Sequence, residues 1–260
     1  GRALLRFLVL SHIGLLRPET IQTSKYIFMT TTKGNPSSIG LIMDGNRRWA
    51  KKHKLPLFEG HNAGYKKLKE FLKWSRARGI KTLYVYAFST ENWNRSKNEV
   101  SYLMDFFKRL VTEEAQNLIK EKVRVRFVGQ IDRFSLPIRA GIKALEKSTA
   151  HFGSDLVICV SYGGRAEIIQ TIKSLIADKG ISGIKNLTEE IFSRYLWTKN
   201  LAEPELIIRT SGEVRTSNFL MWQSAYSEWF FSKTLWPAFT EKEFDRILKD
   251  FRTRETRRGR

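Results

Sequence analysis

The chain has 260 residues, 42% hydrophobic and 12% aromatic, enough to bury the core of one large α/β domain. Its 46 Lys+Arg against 26 Asp+Glu give a formal charge of +20, which favours polyanionic partners (nucleic acid, anionic lipid or diphosphates) without choosing among them. A single cysteine, Cys159, leaves no intramolecular disulfide to form and fits a reducing compartment, and no run approaches the ~18 apolar residues of a membrane span.

In chain order, residues 1–37 are expected to form an N-terminal extension outside the core fold. Their apolar stretch Leu4–Leu10 is short and carries Arg6. Residues 38–260 read as one domain, because no Gly/Ser/Pro-rich linker interrupts the segment from about Ile39 to Phe251. Ile39–Met43 is a first strand and Leu83–Phe88, rich in aromatic and β-branched residues, a second. Val123–Val128 alternates with period two and is expected near a sheet edge. Leu156–Val160 and Leu206–Ile208 read as buried strands, and Glu228–Phe231 as the last.

Between the strands the period changes to 3.6. Val100, Leu103, Met104, Phe107, Leu110 and Val111 form one helical face, opened by a capping box of Ser96 and Glu99. Ile168, Ile169, Ile172, Leu175 and Ile176 form a second face. Phe244, Ile247, Leu248 and Phe251 form a third, opened by Thr240 and Glu243. This alternation implies an α/β fold with a largely parallel sheet flanked by helices, whose ligands bind beyond the carboxyl ends of the strands.

Four post-strand segments share one chemistry. They are Asp44-Gly45-Asn46-Arg47-Arg48-Trp49, Ser89-Thr90-Glu91-Asn92-Trp93-Asn94-Arg95, Ser161-Tyr162-Gly163-Gly164-Arg165, and Arg209 through Asn218. Guanidinium forks suit phosphate oxygens, glycines admit backbone N–H groups, and an occasional carboxylate can recruit Mg²⁺. Each segment alone is ordinary turn sequence; four at one edge of one sheet describe a diphosphate site. The chain has no Walker loop, dinucleotide fingerprint, nucleophile elbow, paired zinc-ligand histidines or RRM signature, so charge is the only argument for nucleic acid.

Taken together, these segments resemble the cis-prenyltransferase family. Met43–Ala50, Gly60-His61-Asn62-Ala63-Gly64, Tyr86–Trp93, Ser161–Arg165 and Ile208–Leu220 with Trp222-Gln223 follow the family's order from about Ile39 to the C-terminus. The resemblance implies a single domain with an apolar tunnel for a growing chain. It also implies a reaction in which isopentenyl diphosphate is condensed onto an allylic diphosphate, farnesyl or geranylgeranyl diphosphate, with Mg²⁺ as cofactor. On this basis Asp44 serves the metal and the reacting diphosphates, and Glu228 helps to hold the metal. Asn46, Arg48 and His61 surround the allylic diphosphate, and Gly45, Arg47 and Trp49 of the same motif are substrate-binding. Arg95 lies between the two diphosphates, and Arg209, Arg215 and Ser217 belong to the isopentenyl diphosphate pocket. Ser89, Glu91, Asn92 and Trp93 form the loop over the reacting carbons. The proton acceptor stays open among Asp44, Ser89 with Asn92, and diphosphate itself. Leu103, Phe106, Phe107 and Leu110, on a helix from Glu99 to Leu118, are expected along the tunnel with the strand Leu156–Val160.

The resemblance further implies a homodimer, to which Arg257-Arg258-Gly259 contributes, and a cytoplasmic enzyme with peripheral contact at the membrane that receives its lipid product. A partner-dependent, non-catalytic subunit of the same fold is the first alternative, disfavoured by the retention of Asp44, Ser89, Glu91 and Asn92. A nucleic-acid-binding protein is the second.

Overall fold

The computed structural model describes residues 33–254. The expected roles of the extension before Lys33 and of Arg257-Arg258-Gly259 fall outside these residues. Among the described residues, six parallel strands form one sheet: β1 (Ser38–Ile42), β2 (Thr82–Ser89), β3 (Arg124–Val128), β4 (Asp155–Tyr162), β5 (Leu206–Arg209) and β6 (Glu228–Phe231), in the order β3-β4-β2-β1-β5-β6. The helices are α1 (Asn46–Lys52), α2 (Leu57–Ala77), α3 (Lys97–Thr112), α4 (Ala115–Lys120), α5 (Leu136–Thr149), α6 (Gly164–Lys179), α7 (Glu189–Ser193) and α8 (Glu241–Thr253).

Each strand's burial follows its position. β4 lies inside the sheet, and all eight of its residues are buried, as its unbroken apolar run requires. β3 is an edge strand, as its period-two pattern predicts. Val125 and Phe127 are buried, while Arg124 and Arg126 point the other way and share the Asp155 carboxylate at 2.6 and 3.0 Å. One sheet face (Leu41, Val85, Leu156, Ile158, Ile208) packs against apolar residues of α2, α3, α5 and α8. The other (Tyr84, Val157, Cys159, Ile207) packs against Tyr162, Phe219 and Leu220. Cys159 is a fully buried core thiol. Packing begins slightly before the expected boundary at Ser38: the Ser37 N–H donates to Glu205 Oε1 at 2.7 Å, and the Asn35 amide donates to the Arg78 carbonyl at 3.1 Å.

The caps read from sequence are present. Ser96 Oγ accepts from the Glu99 N–H, and Thr240 Oγ1 accepts from the Glu243 N–H. The face of α8 (Phe244, Ile247, Leu248, Phe251) is buried as expected.

Two helical expectations are corrected. The helix expected from Glu99 to Leu118 breaks after Thr112, and a second one starts at Ala115. At the break Glu114 accepts a hydrogen bond from the Tyr65 hydroxyl of α2 at 2.9 Å. Of the expected apolar face of α6, Leu175 is buried but its isoleucines are not. Glu167, Thr171 and Leu175, spaced i, i+4, i+8, face inward, while Ile169 and Ile172 are exposed. The reason is polar. The Glu167 carboxylate accepts from the Tyr162 hydroxyl (2.5 Å) at the end of β4, and from the Gln223 amide (2.9 Å) and the Thr198 N–H (3.3 Å), both supplied by distant segments. Burial pushes the Glu167 pKa above the ordinary carboxylate range, against the pull of these donors.

Candidate active site

In this sheet the chain leaves β1 toward β2 on one side and leaves β5 toward β6 on the other, so the carboxyl ends of β1 and β5 flank the point where the connections diverge. The two residues facing each other there are Asp44 and Arg209. The Arg209 guanidinium is almost fully buried; Nη2 donates to Asp44 Oδ2 at 2.9 Å, and Nη1 donates to Ser217 Oγ and to the Arg215 carbonyl, each at 2.6 Å. One arginine thus ties the carboxylate after β1 to Arg215 and Ser217 of the loop after β5.

That loop is an unusual piece of backbone. Ser211, Gly212, Ser217, Asn218 and Leu220 all have positive φ. Such conformations cost of order 1–3 kcal/mol at non-glycine residues and persist where the surroundings hold them. Asn218 is the clasp: its amide donates to Glu91 Oε1 (3.0 Å), its side-chain oxygen accepts from the Arg165 N–H (2.9 Å), and its carbonyl accepts from the Gly164 N–H (2.7 Å). It therefore joins the segments after β2, β4 and β5. Asn218 falls within the motif read from sequence, yet its role appears only in these distances.

The first segment turns into α1 through Gly45, with φ 103°, where a Cβ would lie 2.9 Å from Ser211 and Leu235 atoms. The helix then crosses α2 at Gly60 and Gly64. A Cβ at Gly64 would stand 2.3 Å from Asn46 Oδ1, so the glycine is what lets Asn46 sit at the cleft wall. Asn46 Oδ1 is buried and accepts no hydrogen bond, and Arg209 Nε is buried without an acceptor. Buried polar atoms without a partner are rare in folded proteins, and these two sit side by side with the groups of the cleft wall. Arg48 donates to the Ser211 carbonyl at 3.2 Å and to the Ser211 hydroxyl, reaches Asp44 Oδ1 at 3.4 Å, and pairs with Glu213 at 3.1 Å. Glu213 also pairs with Arg215; that contact, with Arg48, holds its carboxyl below the ordinary range. Sequence reasoning missed Glu213; a lone acid between two site arginines was the available signal.

After β2, Asn92 Oδ1 accepts from the Ser89 N–H at 3.0 Å, closing a capping box over the short helical turn Thr90–Asn94. The Trp93 indole donates to Ser161 Oγ at 2.9 Å. Arg95 is depressed in pKa, by burial first and then by the nearby Arg47, the marks of a cation held for an anion. Arg47 itself is exposed and bridges α1 to α3 through Glu99 at 3.1 Å. Trp49 points away from this set and stacks on His53 at 4.1 Å.

His61 has its pKa lowered to about 4, first by burial, then by Arg95 and Arg47, with Glu99 opposing. It is neutral at physiological pH and can donate or accept, not pair as a cation. The folded pKa lies below the ordinary 6.5. Its contribution to stability is therefore complete above pH 6.5 and is lost as the pH falls through about 4. Chemical denaturation between pH 7 and 4 should show the wild type losing more stability than His61→Gln over that window; parallel curves would refute the assignment.

Most of the expected site residues open onto one cavity of about 650 Å³; Gly45, Arg47, Arg48, Trp49 and Trp93 do not line it. Its polar end is lined by Asp44, Asn46, His61, Ser89, Glu91, Asn92, Arg95, Arg209, Arg215, Ser217 and Asn218. Its other part runs along the sheet face between Val85, Leu156 and Ile158 and helical Leu103, Phe106, Phe107, Leu110 and Leu118. All four residues expected on the apolar wall are in it.

Glu228 is not brought to this place. It opens β6 opposite Leu206, whose partner is Ile39, whereas Asp44 follows the Ile42–Arg209 pair. Along the strands that is ~10 Å toward the wrong end of the sheet. Within one chain Glu228 instead accepts from Arg254 at 2.7 Å. Among the described residues no group of three or more His, Cys, Asp or Glu could hold a metal. The donor set still fits Mg²⁺, which needs one or two carboxylates plus phosphate oxygens and water. Asp44 supplies the carboxylate, with Oδ1 only weakly engaged by Arg48 at 3.4 Å.

Residues 42–259 match the family profile described as "Putative undecaprenyl diphosphate synthase". The chain belongs to the undecaprenyl diphosphate synthase family. It is 44% identical to an isoprenyl transferase of Thermotoga maritima over 86% of this chain and 97% of that protein. It is 40% identical to a geranylgeranyl-diphosphate-specific tritrans,polycis-undecaprenyl-diphosphate synthase of Pyrococcus horikoshii over 97% of this chain and 98% of that one. Its fold matches lavandulyl diphosphate synthase from Lavandula x intermedia, solved with dimethylallyl diphosphate, with a TM-score of 0.80 and 30% identity over 85% of this chain and 97% of that chain. As in its relatives, the activity of this prenyltransferase is the transfer of prenyl groups, and the arginine-rich cleft above is where the family motifs converge.

Proposed function

We propose that the chain condenses isopentenyl diphosphate onto an allylic diphosphate primer, farnesyl or geranylgeranyl diphosphate, and releases a cis-polyprenyl diphosphate. The observation that carries this reading is the two-natured cavity: an end lined by Arg95, Arg209, Arg215 and Asp44 continues into a wall of Leu, Phe and Ile side chains. Diphosphates suit the first part and a growing hydrocarbon the second.

In this reading Asn46, Arg48 and His61 hold the allylic diphosphate, with Gly45 and Arg47 beside them, and Arg209, Arg215 and Ser217 hold isopentenyl diphosphate. Trp49 belongs to the α1 surface rather than to substrate. Arg95 stands where negative charge develops as the allylic C–O bond breaks, and a desolvated guanidinium stabilises that charge more than a hydrated one does. Ser89 and Asn92 hold the loop over the reacting carbons, and Glu91 holds it to Asn218. Asp44 would hold Mg²⁺ together with the substrate diphosphates, and the ion would supply Lewis-acid stabilisation of the leaving group. Residues 38–260 form the prenyltransferase domain and 1–37 an extension to it. We place the enzyme in the cytoplasm as a homodimer with peripheral contact at the membrane; no helix among the described residues is long and apolar enough to cross one.

Incubation with farnesyl diphosphate, labelled isopentenyl diphosphate and Mg²⁺ should give a ladder of extractable polyprenyl diphosphates that EDTA abolishes. No incorporation with geranyl, farnesyl or geranylgeranyl primers in detergent would favour the partner-dependent subunit instead.

A further inference from the structure

Across the junction from the end of α1 to the first turn of α2 the chain exposes eight consecutive residues, Lys51 to Phe58. Three are large and apolar: Leu55, Leu57 and Phe58, each more than two-fifths exposed. This is not a frayed loop. The Leu55 N–H donates to the Ala50 carbonyl at 2.9 Å, the Lys54 N–H to the Lys51 carbonyl at 3.1 Å, and the Glu59 N–H to the Pro56 carbonyl at 3.0 Å. Lys54 takes the left-handed conformation, φ 56°, that ends α1 and turns the chain. The backbone thus holds three apolar side chains out in water at a fixed tip.

Charge says what covers them. From Gly45 to Phe58 the sequence carries Arg47, Arg48, Lys51, Lys52 and Lys54 and no acid. Another exposed apolar group, Ile169 through Leu187 on and after α6, carries three lysines and Asp178 and is followed by Glu189 and Glu190, a weaker cationic excess than the five basic residues here. An apolar tip collared by cations is the pattern that partitions into the headgroup region of an anionic bilayer. The tip also adjoins the cavity. The Phe58 ring lies 6.2 Å from Tyr102, Tyr102 lies 6.0 Å from His61, and the Tyr102 hydroxyl donates to the Phe58 carbonyl at 3.3 Å. His61 lines the cavity. Deeper along the same pair of helices Tyr65 meets Phe106, ring centres 5.7 Å apart, and both line the cavity. An aromatic seam between α2 and α3 therefore connects the exposed tip with the place where lipid is expected.

We propose that Leu55, Leu57 and Phe58, with Lys51, Lys52 and Lys54, form the membrane-docking surface, which inserts its apolar tip into an anionic phospholipid bilayer beside the cavity. The proposal rests on the reading that the product is a lipid diphosphate, but its test reads binding and not turnover. The full chain is sedimented with sucrose-loaded vesicles of phosphatidylglycerol and phosphatidylcholine, or of phosphatidylcholine alone, at low salt. Binding should require phosphatidylglycerol and weaken as salt rises. Leu57→Ser/Phe58→Ser should lower the partition coefficient about tenfold or more, and Lys51→Gln/Lys52→Gln/Lys54→Gln about a hundredfold, roughly fivefold per lysine. Ile181→Ser/Ile184→Ser should bind as the wild type does. Thermal melts and elongation from farnesyl diphosphate in detergent, run on each variant, separate loss of docking from loss of fold or of activity. Unchanged binding by the tip variants, equal loss in the Ile181/Ile184 control, or no binding by the wild type would each overturn the proposal. So would light scattering that showed the tip variants dissociating an oligomer, which would make the patch a contact between copies.

Discussion

Asp44→Asn should lower the turnover of primer elongation by about 10³-fold while leaving the cleft assembled. The substitution keeps the size of the side chain, and an amide oxygen can still accept from Arg209 Nη2, now 2.9 Å from Oδ2. What it removes is the single carboxylate at the junction of Arg48, Arg209 and the cavity. Two consequences separate this from general damage. A positive cleft that loses one of its two lining carboxylates, Asp44 and Glu91, should bind a non-reactive diphosphate analogue without Mg²⁺ as tightly as the wild type or more tightly. Mg²⁺ should then no longer strengthen that binding. Isothermal titration with and without Mg²⁺, beside product analysis, measures both. Turnover above a tenth of the wild-type rate, or a persisting Mg²⁺ effect, would remove Asp44 from the metal's coordination.

Asp44 also shows how far the sequence carries. It follows the first strand, and the other polar segments follow theirs, so parallel strands bring them to one edge whatever the details of packing. That logic placed Asp44, Ser89 and Arg209 together before any distance was known. Applied to Glu228 it gives the opposite answer. Glu228 begins its strand and so belongs at the far end of the sheet, where the structure puts it with Arg254. Its assignment to the metal came from resemblance alone, and the strand rule already argued against it within one chain. The strands were legible because burial imposes unbroken apolar runs inside the sheet and alternation at its β3 edge. The face of α6 was not. Apolar periodicity picks the isoleucines, while Gln223 and Thr198, which with Tyr162 enclose Glu167, come from elsewhere in the chain and leave no mark on the helix's own pattern. Asn218 and Glu213 stayed hidden for the same reason. Their importance lies in which loops they join.

The same dependence on distant partners sets the second large effect. Arg209→Met should cost both the fold and the reaction: about 3–5 kcal/mol of stability and at least 10²-fold in kcat/KM. Methionine fills much of the volume, so the loss is electrostatic and not a cavity. Three groups lose their donor at once: Asp44 Oδ2, Ser217 Oγ and the Arg215 carbonyl. The loop from Ser211 to Leu220 holds several left-handed residues, and Arg209 is the buried side chain that pins it to the sheet. With the pin gone that backbone can relax, moving Asn218 off Glu91 and Arg215 out of the cavity. Denaturant unfolding and isopentenyl diphosphate kinetics on the same preparation test the coupling. In Arg209→Met the KM for isopentenyl diphosphate should rise as kcat falls, because both a phosphate ligand and the support of Asp44 are lost. In Asp44→Asn the fall should be chiefly in kcat. If Arg209→Met instead left KM unchanged and matched Asp44→Asn in kcat, the guanidinium would serve only to orient the aspartate, and isopentenyl diphosphate would have to be held by Arg215 and Ser217 without it.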